Sequence, residues 1–197
     1  MTRLNIIGAS GHGKVVADIA KLNGYRDIVF FDDDRNVKEC LGFPVMGTSL
    51  EATEGEVFVA IGNCEIRKRL MEFYNDRVQP ILIHPNAIVA DSATLEKGTV
   101  VMAGAVINPD AKIGKGCIIN TCSSVDHDCI IHDYVHIAVG AHICGTVSID
   151  EFTWIGAGAT VINNLSICKS CMIGAGAVVV SNIERKGTYI GVPARTI

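Results

Sequence analysis

The sequence predicts two modules, a Rossmann-like α/β unit over residues 1–82 and a parallel β-helix of hexapeptide repeats over residues 83–197. Three observations predict them. Every sixth residue from Ile83 to Val179 is Ile, Val or Leu, and the steps on either side, Arg77 and Arg185, fail. The residue two before each aliphatic is mostly small, as at Ala87, Ala93, Thr99, Cys117, Cys129, Ala159, Cys171 and Ala177. Before Ile83 that period is absent, and a strand, a Gly-rich turn, a helix and an acidic strand end follow one another.

A period of six matches neither the helical 3.6 nor the strand period of 2. It matches rungs that each form one face of a triangular prism, three to a coil, so that residues 18 apart stack. Positions two apart on a strand share a face, so each rung should bury one branched and one small side chain. Gly114, Gly156 and Gly174, just after the aliphatic, read as corner residues. No rung carries an insertion, which gives five coils or slightly more.

In the first module, Leu4–Ala9 reads as a buried strand and residues 8–13 (GASGHG) as a tight loop. Lys14–Leu22 has helical spacing and ends near Asn23-Gly24. Ile28–Phe31 and Val57–Ile61 read as strands, and Glu65–Tyr74 as a helix. The glycines run G-x-x-G-x-G, which is not the dinucleotide spacing, and about 80 residues supply half of a dinucleotide domain. One nucleotide is therefore expected. Gly11 and Gly13 would let phosphates approach N–H groups at a helix N-terminus, with His12 as a further donor and Asp32 and Asp33 facing ribose or base. The plain alternative is an α/β cap that only starts the solenoid.

Bulk composition excludes several classes. The net charge of −4 has no basic stripe for nucleic acid, and no apolar run approaches a membrane span. No signal peptide is evident, and a cytoplasmic protein is expected. The eight cysteines read as reduced thiols. Cys168 and Cys171 form the one CxxC; three apart on a rung, one should point in and the other out. No metal is expected.

Of six histidines, His127 stands apart as Asp126-His127-Asp128, where a carboxylate can fix the tautomer and raise basicity. Eighteen residues on is Gly145, which leaves room above His127 for a substrate and makes its N–H a candidate oxyanion donor. An exposed acidic turn is the plain alternative. Val139-Gly140-Ala141, Ala157-Gly158-Ala159 and Ala175-Gly176-Ala177 stack as a column of nearly bare backbone. That column suits a long thin ligand such as the pantetheine arm of coenzyme A, or the packing of two prisms.

The segments IIGASGHGKVVADIAKLNGY, FFDDD, AIGNCEIRKRL, INTCSSVDHDCII, VHIAVGA and YIGVPARTI span essentially the whole chain. They resemble bacterial sugar O- and N-acyltransferases that join a nucleotide-binding α/β unit to a left-handed β-helix. Among these, the UDP-4-amino-sugar N-acetyltransferases of the bacillosamine pathway look most similar. The resemblance implies acetyl-CoA-dependent N-acetylation of a nucleotide-linked 4-amino-4,6-dideoxy sugar by homotrimers with active sites between neighbouring helices. It matches His127 to the general base and Asp128 to a carboxylate that is usually Glu. Asn120 and Asp126 match positions near the sugar, and His136, Ala157 and Ala175 match acetyl-CoA contacts. Ser10, Gly11, His12, Gly13, Asp32, Asp33, Ile61, Gly62 and Asn63 would hold the nucleotide-sugar. O-acetylation of sialic acid or a related sugar is the nearest alternative. A zinc enzyme of the carbonic-anhydrase type could use His127 and His132, five apart, but residues 86–126 hold no third His. A non-catalytic scaffold is the third.

Overall fold

The computed structural model describes residues 2–197. The chain divides into two compact units, Met1–Pro85 and Asn86–Ile197.

The first unit is a five-stranded sheet with two helices. Its elements are β1 (Leu4–Ile7), α1 (Gly11–Leu22), β2 (Ile28–Phe31), β3 (Glu39–Cys40), β4 (Phe43–Gly47), β5 (Glu56–Val59) and α2 (Cys64–Phe73). The strand order is β3-β4-β2-β1-β5. β1 pairs in parallel with β2 and β5, β2 in parallel with β4, and β3 antiparallel with β4. β1 and β2 are buried at every position, the pattern of parallel strands covered on both faces. α1 buries Val16, Ala17, Ile19 and Ala20. It also starts at Gly11, three residues before the expected start, so Gly11, His12 and Gly13 form its first turn rather than a loop. The hairpin of β3 and β4 has no counterpart in the sequence reading, because Pro44 and the exposed Glu39 and Met46 hide the strand pattern.

The second unit is a parallel β-helix of two-residue strands in three sheets. Partners lie 18 residues apart, as Val106 with Ser124 and Ser124 with His142. The repeat aliphatics from Val101 to Val179 are all buried. The small register lies beside them, with Ala105, Ala111, Cys117, Cys129, Ala141, Ala159 and Ala177 closed to solvent. Burial of one branched side chain per rung contributes about 1.5–3 kcal/mol each. Thr99 and Thr153, also on the small register, close their own polar groups. Each Oγ1 accepts from the N–H of the residue 18 on, Cys117 or Cys171, and donates to a carbonyl, Gly114 or Cys168. The end is a short antiparallel pair, Thr188–Ile190 with Arg195–Thr196.

Two sequence expectations are corrected in this unit. The corner residue is the third after the aliphatic, not the first: Gly98, Gly104, Asp110, Gly116, Cys122, Asp128, Tyr134, Gly140, Thr146, Phe152, Gly158, Asn164, Ser170 and Gly176 all have left-handed φ. Gly114, Gly156 and Gly174 serve coil stacking instead. A Cβ on Gly114 would come within 2.5 Å of Asp133 Oδ1, and one on Gly156 within 2.5 Å of the Ile173 carbonyl. The CxxC pair is the second correction. Cys171 is buried as expected, but Cys168 turns toward it rather than away, and their sulfurs lie 3.6 Å apart.

Candidate active site

His127 sits on the edge between the sheet of Ser124–Val125 and that of Ile130–Ile131. Asp126 opens the turn and Asp128 closes it with φ of 59°. That left-handed residue folds its carboxylate back on the imidazole, and His127 Nδ1–H donates to Asp128 Oδ2 at 2.7 Å. The shorter Asp therefore reaches the ring. A carboxylate only accepts, so Nδ1 carries the proton and Nε2 presents its lone pair. The hydrogen bond to Asp128 raises the His127 pKa above its ordinary 6.5, and the charges of Asp126 and Asp128 add to this.

Gly145 lies directly over this ring. A Cβ there would stand 2.6 Å from both Cε1 and Nε2 of His127. The space left by the missing side chain holds the imidazole itself, which corrects the expectation that a substrate fills it. The His127 carbonyl accepts from Thr146 N–H at 2.9 Å, which fixes the spacing of the two coils. Asp126 Oδ1 accepts from His127 N–H at 2.9 Å and from Asn108 Nδ2 at 2.8 Å. Asn108 was not singled out in the sequence, although its place 18 before Asp126 was a usable signal.

The next edge, six residues earlier along the rung, carries a second group. Asn120 Nδ2 donates to His136 Nε2 at 3.1 Å, while its Oδ1 accepts from Thr121 N–H. His136 is buried and packs on Trp154, with ring centroids 4.5 Å apart. Trp154, one coil above, is a second residue that the sequence reading missed. Gly140, Gly158 and Gly176 stack on this same edge. Nothing lies within 4 Å of where their Cβ atoms would be. Ala157 and Ala175 are exposed beside them. Ala159 and Ala177 are not: both are fully buried inside the prism, so their side chains cannot touch an outside ligand. Asn120, His136 and the small-residue column thus share one edge, whereas Asp126, His127, Asp128 and Gly145 share another. Six residues of extended chain separate the two by up to about 20 Å.

In the first unit, the Gly-rich segment lies at the carboxyl ends of β1 and β2. Ser10 is at the N-cap of α1, exposed and making no side-chain cap bond. Gly11 faces open space, and so does Gly62 after β5. Gly13 does not, because a Cβ there would collide with the Gly8 carbonyl oxygen; its role is the close approach of helix to strand. His12 Nε2 is buried without a partner. Burial, then the charge of Arg67, pushes the His12 pKa down to about 4, so the ring is neutral at neutral pH. Asp32 is engaged on both oxygens, from Ala9 N–H at 2.7 Å and Asp34 N–H at 2.9 Å. Asp33 accepts from Ser49 N–H at 2.9 Å. Asn63 caps α2 by accepting from Ile66 N–H, so that oxygen is committed to the helix.

Two features here lay outside the sequence reading. Arg67 is 1% exposed and donates to the carbonyls of Ile61 and Gly62 at 2.7 and 2.8 Å, which pins the turn after β5. Its only sequence signal was a cation on the inward stripe of α2. An open cavity of about 370 Å³ lies beyond β2 and β4, lined among others by Asp32, Arg35, Lys38, Met46 and Thr48. Among the described residues, no group of three or more His, Cys, Asp or Glu is placed to hold a metal, and His132 faces Asp150 at 3.6 Å. Among the described residues, no helix is long and apolar enough to cross a membrane.

Residues 3–74 match the PglD N-terminal domain family and residues 92–127 the bacterial transferase hexapeptide repeats. A curated relative, UDP-N-acetylbacillosamine N-acetyltransferase of Bacillus subtilis, is 38% identical over 115 residues; the match spans 52% of this chain and 52% of the relative. The acetyltransferase domain of PglB from Neisseria gonorrhoeae in complex with acetyl coenzyme A is 41% identical, with TM-score 0.95 over 100% of this chain and 99% of that one. PerB from Caulobacter crescentus in complex with CoA and GDP-perosamine is 36% identical, with TM-score 0.94 over 100% and 98%. Taken with a sheet of order β3-β4-β2-β1-β5 and a prism of six-residue rungs, these likenesses show that the chain belongs to the hexapeptide-repeat acetyltransferases that carry a PglD N-terminal domain.

Proposed function

We propose that the protein transfers the acetyl group of acetyl-CoA to the 4-amino group of a nucleotide-linked 4-amino-4,6-dideoxy sugar. UDP is our first choice of nucleotide, after the B. subtilis relative, a UDP-N-acetylbacillosamine N-acetyltransferase by name. The observation that carries the reading is His127, with Nδ1 tied to Asp128 and Nε2 open.

The amine lone pair attacks the thioester carbonyl while Nε2 takes the proton the amine sheds. Gly145 N–H donates to the developing oxyanion. Collapse breaks the C–S bond, and the imidazolium returns its proton to the departing thiolate. General base and oxyanion donor contribute about 10²–10⁴ and 10²–10³ in rate. No acyl-enzyme is needed, because a neutral amine is already a nucleophile.

The exposed column of Gly140, Ala157, Gly158, Ala175 and Gly176 gives the pantetheine arm a backbone to lie on. Asn120 and His136 stand at its lower end. In the first unit, the open N-terminus of α1 suits a phosphate, and the cavity beside Asp32 suits a base or ribose. We read the working form as a homotrimer. The base and the column lie on different edges of one prism, so a site made by two copies brings them together. Eight free thiols favour a reducing cytoplasmic setting.

The test is thiol release from acetyl-CoA with UDP-, dTDP- and GDP-4-amino sugars and with free sialic acid. Turnover with one nucleotide-amino sugar, lost in His127→Ala, is the expected result. Turnover with sialic acid alone would replace the reading by O-acetylation.

A further inference from the structure

We propose that Asn108 is a positioning residue for the reaction: from the coil below, its amide fixes the Asp126 carboxylate so that one oxygen is left facing the substrate amine. The inference rests on the acetyltransferase reading above and goes beyond it, since Asn108 touches no substrate.

Asn108 follows the interior Ile107 and so opens the same corner, one coil down, that Asp126 opens after Val125. Both corners are held in register by backbone bonds, Asn108 N–H to the Val125 carbonyl and Asp126 N–H to the Ile143 carbonyl, each 2.9 Å. The spacing between the two side chains is therefore the inter-strand spacing of the prism, about 4.8 Å. Across that gap Asn108 Nδ2 reaches Asp126 Oδ1 at 2.8 Å, and His127 N–H reaches the same oxygen at 2.9 Å. Two donors on one oxygen fix the rotation of the carboxylate. Oδ2 has no protein donor among the described residues, and it is the oxygen left over for an N–H of the incoming amine or for a sugar hydroxyl.

The same two donors hold the Asp126 carboxyl below its ordinary range, His127 N–H first and Asn108 second. The titratable groups around it are His127 and Asp128 in its own turn and Cys129 just after, whose thiol is pushed up by burial above all and further by the Asp126 charge. Asp126 thus stays an anion, can accept an N–H of the amine beside the base, and helps keep the imidazole basic.

The experiment compares Asn108→Ala and Asn108→Asp with the unmodified protein. KM for the nucleotide-amino sugar is expected to rise about ten-fold in Asn108→Ala, because a hydrogen bond to a charge is lost, with KM for acetyl-CoA unchanged. Asn108→Asp keeps the shape but sets two carboxylates in contact, so one retains a proton and the acidic limb of kcat/KM moves to higher pH. If both variants keep the wild-type sugar KM and the wild-type pH profile, Asn108 does not position Asp126. If the two KM values move together in step with a lowered thermal midpoint, its role is structural and the proposal falls. Absence of turnover in the unmodified protein would sink the acetyltransferase reading and this inference with it, an outcome distinct from normal turnover with unaltered variants.

Discussion

Asp128 can touch His127 Nδ1 only because its own backbone is left-handed. Adjacent side chains on a strand point to opposite faces; at φ of 59° the chain turns, and the shorter carboxylate comes within 2.7 Å of its neighbour's ring. In the reaction we propose, the proton leaves the amine for a neutral imidazole, so the acidic limb of kcat/KM would report the His127 pKa. Asp128 is the largest cause that raises it. The limb should therefore lie above pH 6.5 in the unmodified protein. In Asp128→Ala it should shift to lower pH while the pH-independent rate falls, since the ring loses its fixed tautomer. The rate loss should be smaller than in His127→Ala, and a pH–rate series on the two variants decides it. A limb that stays in place would mean that Asp128 does not act on the ring. The sequence already placed carboxylates beside His127. Spacing alone could not show which one the ring chooses, because that depends on a φ value; only the resemblance pointed to Asp128, and the reading misjudged Gly145, whose open space belongs to the imidazole.

At the scale of the element, one corner geometry serves every rung, while the residues that adopt it differ widely. Gly140, Gly158 and Gly176 adopt left-handed φ without steric cost, and Asn164 and Asp110 with little. Thr146 adopts φ of 61° with a β-branched side chain that is exposed and makes no hydrogen bond. It carries strain that no side-chain hydrogen bond offsets, so Thr146→Asn should stabilise the protein by about 1 kcal/mol. The denaturation midpoint should rise; an unchanged or lower midpoint would show that the Thr methyl packs usefully after all. The rungs themselves were legible because burial repeats every sixth residue from Val101 to Val179. The corner position was not, because eight of its fourteen occupants are not glycine. In the first unit, β1, β2, β5 and α2 could be read from apolar runs, whereas β3 and β4 expose too much of their length to leave one. The start of α1 was misplaced for a related reason: a helix whose first turn is Gly-His-Gly carries no start signal at Gly11.

At the scale of the whole molecule, the prism is quasi-one-dimensional, so its geometry distributes chemistry by edge. Residues 18 apart stack, and residues six apart fall on successive edges. His127 and the small-residue column are therefore held apart in any one chain, however its side chains move, because backbone hydrogen bonds fix every rung. In the homotrimer we propose, the base edge of one copy would stand against the column edge of the next. The consequence is complementation between two dead variants. His127→Ala removes the base, and Ala157→Trp fills the exposed column that a pantetheine arm would use; each alone should lose nearly all turnover. Mixed at equal amounts and reassembled, a given site needs an intact base from one copy and an intact column from its neighbour. That coincidence has a chance of about one quarter, so about one quarter of the wild-type rate should return. A site confined to one chain would give no recovery at all, because every chain in the mixture carries one lesion. Substantial turnover by Ala157→Trp alone would instead remove the column from the acetyl-CoA path. The measured fraction therefore reports directly on where each half of the chemistry resides.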